Sequence, residues 1–233
     1  MEILYIISTA LHLITYLIGI SFNILLIFAV VKKTPSNMST YSVLILNFAI
    51  TDLFSCVASM MVQFRIIAGG IGLFYISYGP CRYLGPSACF ITYSFMLHCY
   101  SHWLWILLYS FWYRYYIISN VQPSRCKVQS NHNIVIQHNC KNIYPLFQIF
   151  FCFTLDRESL VKQRLSQVFN YDIRNECASG HLNIFTWPVL GTILHMTLPV
   201  TPVYTAILLF RRAIAAKLRS ETSEQTRHLH QQL

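Results

Sequence analysis

Ile3–Val31, ILYIISTALHLITYLIGISFNILLIFAVV, is 29 residues without an Asp, Glu, Lys or Arg, and Lys32-Lys33 follow it at once. A helix needs roughly 20 apolar residues to cross a bilayer, and a buried soluble helix rarely stays uncharged for so long. The stretch lacks a basic lead and is too long for the apolar core of a cleaved signal peptide, so it reads as a retained first helix. Tyr41–Phe64, Phe90–Trp112 and Phe185–Phe210 repeat the pattern. The chain therefore reads as an integral membrane protein, an all-α polytopic bundle with no separate soluble domain.

Charge placement orients it. The 17 basic residues outnumber the 8 acidic ones, which in a soluble protein would suggest nucleic acid. Here 11 of them, including Lys32, Lys33, Arg114, Arg211 and Arg212, follow the first, third and last spans. Basic loops favour the cytoplasmic side, so no nucleic-acid partner is implied. The reading puts the N-terminus outside and the basic tail 211–233 inside.

That orientation needs an additional crossing between Trp112 and Phe185. The one candidate is Ile143–Leu155, IYPLFQIFFCFTL. Its 13 residues reach about 20 Å as a helix, short of a hydrocarbon core of roughly 30 Å. Extending it back to Ile134 would place Gln137, His138, Asn139, Lys141 and Asn142 in lipid at substantial cost. The fourth span is expected to be marginal.

Several residues within the spans carry polar chemistry. Asp52 lies mid-span, where a carboxylate needs partners or water, and Asn23 and Asn47 are candidate hydrogen-bond partners. Arg114 stands among Tyr113, Tyr115 and Tyr116 at a membrane boundary, as a snorkelling anchor would. His98 and His102 share a helix face at i and i+4, suited to packing, cavity lining or metal binding. Pro188, Pro199 and Pro202 punctuate the last span; prolines kink membrane helices and open cavities, which makes this helix a candidate pocket wall. Cys126, His132, His138 and Cys140 lack the turn spacing of a zinc site. Cofactors and catalytic motifs are not expected.

Four stretches together resemble a known family. Ser21-Phe22-Asn23-Ile24-Leu25-Leu26 is similar to the asparagine motif of helix 1 in rhodopsin-like seven-helix receptors. Leu46-Asn47-Phe48-Ala49-Ile50-Thr51-Asp52-Leu53 is similar to their helix-2 motif. Trp112-Tyr113-Arg114-Tyr115-Tyr116 stands where they carry an arginine motif. Asn175–Pro188 resembles the approach to helix 5 in nematode serpentine chemoreceptors of class delta (Srd). The resemblance covers about 1–116 and 152–233 and fails over 117–145.

The resemblance implies counterparts of helices 1 to 5 of a seven-helix receptor, with a continuing basic helix after Phe210. It implies a polar core of Asn23, Asn47 and Asp52. Tyr113, Arg114, Tyr115, Arg211 and Arg212 would face a heterotrimeric G protein, although Tyr113 replaces the usual acidic neighbour of the arginine. A small chemical ligand would bind near His98, His102, Trp187 and His195. A bridge from the top of helix 3 to the loop before helix 5 is the family pattern, which favours Cys89–Cys177, with Cys81–Cys177 as the alternative. The expected site of action is the plasma membrane, including sensory cilia. The expected role is a chemosensory G-protein-coupled receptor, in an incomplete form that does not signal alone. The alternatives are a non-signalling remnant or gene-model fragment, and a small channel or transporter.

Overall fold

The computed structural model describes residues 2–33, 39–119, 151–152, 154–169, 173 and 176–232. Long helices dominate it: α1 (Glu2–Lys33), α2 (Ser39–Val62) and α3 (Pro86–Ser119), then α5 (Trp187–Thr197) running into α6 (Val200–Gln232). Between them lie β1 (Phe64–Gly69), β2 (Gly72–Ser77), a 3-10 turn (Pro80–Tyr83), α4 (Glu158–Phe169) and β3 (Cys177–His181). α1 packs on α2, α2 on α3, and α3 on α6, so α3 is central.

Among the described residues, three stretches are long and apolar enough to cross a membrane: Thr9–Lys33, Tyr41–Val62 and Trp187–Ser220. The first leaves Leu11, Phe22 and Phe28 at least 60% exposed, a surface suited to hydrocarbon and not to water. α3 is also long, yet it is rich in Tyr, Trp, His and Ser. Its burial explains this: Tyr93, Ser94, Ser101, Tyr109 and Tyr113 are all covered by neighbouring protein. A helix held on several sides by protein does not need a lipid-compatible face all round.

The expected spans shift at their ends. The second stops at Val62 because Gln63 adopts φ 40, the left-handed exit usual after a helix, and donates its N–H to the Ser59 carbonyl at 2.9 Å. The third extends beyond 90–112 at both ends. The last begins at Trp187 and is interrupted at Leu198-Pro199 before continuing to Gln232. Pro199 and Pro202 have no N–H to give to the preceding turn, which is the physical cause of the break. Of the marginal span Ile143–Leu155, residues 143–150 and 153 lie outside the described residues; Phe151-Cys152 is helical and Thr154–Arg157 is irregular.

An antiparallel sheet in the order β1-β2-β3 supplements the expected all-α bundle. β1 and β2 form a hairpin in register Phe64↔Ser77 to Gly69↔Gly72, with Gly70 at φ +63 leading the two-residue turn. β3 adds to β2, Tyr75 opposite Ser179. Tyr78 and Gly79 donate N–H groups to Gln63 and Val62, so the hairpin returns to the end of α2. Successive residues of a strand face opposite ways. Tyr75 therefore packs with Phe90, Tyr93 and Phe151, while Phe74 packs with Val161 and Leu165 of α4. The sheet is a filled layer between α4 and the ends of α2 and α3.

Candidate functional site

The bundle offers three arrangements of polar groups: one mid-bundle, one at the sheet end, one at the basic end. Mid-bundle, Asn23 Nδ2 donates to Asp52 Oδ2 at 2.6 Å and to the Gly19 carbonyl at 2.9 Å. Asn47 takes no part: among the described residues no hydrogen bond joins it to either side chain. It lies five residues before Asp52 on α2, about a turn and a half away, and so points elsewhere.

A cavity of about 320 Å³ opens between α3 and the α5–α6 break. Tyr100, Trp103, Trp105, Ser101, His195 and Tyr204 line it. Aliphatic side chains such as Leu104 and Met196 complete its largely apolar wall. Ser101 is 7% exposed, and its Oγ is buried without a hydrogen-bond partner among the described residues. An unpaired buried hydroxyl carries a desolvation cost; a polar atom in the cavity would relieve it once a small rearrangement opens Oγ to the cavity. Pro199 lines the same cavity, so the proline break shapes the wall.

The other expected cavity residues are placed differently. Trp187 is 71% exposed at the start of α5, turned away from the helix bundle. Membrane-interface Trp residues adopt that position because the ring is amphipathic. His98 and His102 stack with ring centroids 6.4 Å apart on α3 but do not line the cavity. Among the described residues no group of three or more metal-ligating side chains occurs. Cys126, His132, His138 and Cys140 lie outside the described residues.

At the sheet end the disulfide differs from both expected pairings. Cys81 bonds Cys89, with Cα atoms 5.1 Å apart. They are only eight positions apart, and the 3-10 turn at Pro80–Tyr83 doubles the chain back onto the start of α3. Local folding thus delivers Cys81 to Cys89. Cys177 is a thiol on β3, with its Sγ 3.6 Å from Cys89 Sγ. Expecting a long-range bridge overlooked this turn.

Beside it lies a buried histidine that sequence reading did not single out. His181 is 1% exposed, and its Nδ1 is 3.1 Å from the Thr154 carbonyl. Carbonyls only accept, so Nδ1 carries the proton. Nε2 has no partner among the described residues and sits within a box of Phe90, Phe151 and Tyr75. Burial lowers the pKa of this imidazole, opposed by the Thr154 contact and by Asp156. Asp156 Oδ2 accepts the Leu182 N–H at 2.7 Å, clamping the end of β3.

At the basic end, Arg114 donates to Tyr41 Oη and lies 5.4 Å from the Tyr41 ring and 5.5 Å from that of Phe111. Tyr113 is buried and stacks on Tyr41. Tyr115 packs against Phe210. Arg211 and Arg212 are exposed. Arg114 is therefore tied to α2 through Tyr41 while remaining exposed.

The class is a helical bundle with segments long and apolar enough to cross a membrane, and the comparisons with known proteins specify it. The family described as serpentine type 7TM GPCR chemoreceptor Srd matches residues 8–233. The chain belongs to that family. It is similar to serpentine receptor class delta-1 of Caenorhabditis elegans, 35% identical over 92% of this chain and 59% of the relative. Class delta-3 of the same organism is 33% identical over 93% of this chain and 64% of the relative; class delta-19 is 31% identical over 93% and 65%. The chain thus spans roughly three fifths of the length of these curated relatives. No solved structure matches it. The family is one of receptors, not enzymes, and its members are integral membrane proteins.

Proposed function

We propose that this chain forms the ligand-binding part of a chemosensory G-protein-coupled receptor in the plasma membrane, ciliary membrane included. The N-terminus and the sheet end face outward, and the α6 tail with Arg211 and Arg212 faces the cytoplasm. The carrying observation is the cavity between α3 and the α5–α6 break, whose wall includes Ser101, a buried hydroxyl with no partner among the described residues. At about 320 Å³ it suits a small, mostly apolar molecule with one hydrogen-bonding atom. His195 supplies a second polar group.

The break at Leu198-Pro199 forms part of the cavity wall, and α6 continues from it to the basic tail. A ligand that prefers one arrangement of this break shifts the population of the helix beyond it. Tyr113, Arg114, Tyr115, Arg211 and Arg212 form the G-protein side of that equilibrium. Breaking the Arg114–Tyr41 contact is the step that would release the exposed guanidinium from α2.

The test is a cell-based response of the receptor to a panel of small odorants. Ser101→Leu places a larger side chain at the cavity wall and is expected to raise the effective concentration at least tenfold, whereas Ser101→Ala should have a smaller effect. An unchanged response in Ser101→Leu, at equal surface abundance, would remove the cavity from the ligand's path.

A further inference from the structure

Three sulfur atoms meet at the sheet end: the Cys81–Cys89 disulfide and the Cys177 thiol, 3.6 Å from Cys89 Sγ. That separation is a van der Waals contact between an attacking atom and its target. We propose that these three cysteines form an intramolecular thiol–disulfide exchange site, which moves the staple at the top of α3 between the 3-10 turn and β3.

The chemistry is self-contained. Cys177 loses its proton and its sulfur attacks Cys89 Sγ. The Cys89–Cys177 bond forms as the Cys81–Cys89 bond breaks, and Cys81 leaves as a thiolate that takes up a proton. One disulfide and one thiol are present before and after, so no external oxidant or reductant is required. Which sulfur is attacked follows from position, because Cys89 is the one in contact with Cys177.

The two isomers tie different elements together. Cys81–Cys89 closes a loop between neighbours only eight residues apart and leaves β3 held by hydrogen bonds and packing, with no covalent tie to α3. Cys89–Cys177 spans 88 residues and fastens β3 to α3. The longer closure constrains the unfolded chain more, and it also restrains the segment that leads through Asn183 and Thr186 into α5. Exchange therefore stiffens or frees the cap above the helix that carries His195.

Burial holds the Cys177 thiol pKa above its ordinary value. Glu158 and Glu176 add to this, and Lys162 and Arg82 oppose it. The thiolate is consequently scarce near neutrality, and exchange is slow but alkali-accelerated, roughly tenfold per pH unit.

The experiment uses the unmodified chain in native membranes. Samples held at pH 6.5 and pH 8.5 are acid-quenched, alkylated under denaturing conditions and mapped without reduction. Cleavage after Arg82 and Arg174 separates the three cysteines. Both linkages should appear, Cys81–Cys89 with alkylated Cys177 and Cys89–Cys177 with alkylated Cys81, and their ratio should settle faster at the higher pH. Cys177→Ser should retain only Cys81–Cys89, and Cys81→Ser only Cys89–Cys177. A single linkage in the unmodified chain at both pH values, or recovery of Cys81 linked to Cys177, would overturn the proposal.

Discussion

Asn23 of α1 gives its side-chain amide to Asp52 of α2 across 2.6 Å, while Asn47, on the same helix as Asp52, does not reach it. The bond links the middle of α1 to α2, where Tyr16 and Ser59 form a further polar contact between the same two helices. Asn23→Ala leaves the half-buried carboxylate without its inter-helix donor. Losing a partner of a charged or buried polar group costs about 1–3 kcal/mol. Thermal unfolding in detergent should show Asn23→Ala clearly destabilised and Asn47→Ala close to the unmodified chain. Equal effects would mean the pair contributes nothing specific.

Gly180 allows β3 to lie against β2. A Cβ there would sit 2.6 Å from the Leu73 carbonyl oxygen and 2.9 Å from Phe74 Cα, both backbone atoms. Neither can move without opening the strand pair. Gly70→Ala, by contrast, meets open space and adds only the left-handed strain of about 1–2 kcal/mol. Surface abundance should therefore fall much further for Gly180→Ala than for Gly70→Ala. The reverse order would show that β3 is not held in this register.

His181 makes the cap sensitive to acid. Burial depresses its folded-state pKa below 6.5, so the neutral ring is the form the fold accepts. Below pH 6.5 the unfolded chain takes up a proton that the folded chain resists. Stability from this residue is full above that pH and is lost as pH falls towards the folded value. Hydrogen exchange of the β3 amides should quicken between pH 7.5 and 5.5, after correction for intrinsic rates. His181→Phe should flatten that response, and a response that persists in the variant would assign it to another group.

Orientation is testable directly. With the N-terminus outside and the α6 tail inside, an impermeant thiol reagent on intact cells should label Glu2→Cys and spare Gln232→Cys. Equal labelling of both would contradict the charge-based assignment, or show two orientations in one population.

Apolar length and charge placement determined the membrane class and the helical rods from sequence alone, and four motifs carried the family resemblance. Ile3–Val31 has no other stable home, because every backbone group in hydrocarbon must be satisfied within the helix itself. The sheet was partly legible: Phe64–Gly69 and Gly72–Ser77 are aromatic and β-branched runs around a glycine-led turn, a hairpin signal that the apolar background obscured. What pairs with what was decided only in three dimensions. The family pattern pointed to a long bridge, yet the 3-10 turn brings Cys81 to Cys89 and leaves Cys177 against them. Trp187 and His195 lie in one apolar stretch, but the first stands exposed at the start of α5 while the second, two turns on, lines the cavity. Neither distinction resides in composition or spacing. Each depends on the direction in which a side chain leaves its backbone, and packing against residues distant in the sequence sets that direction.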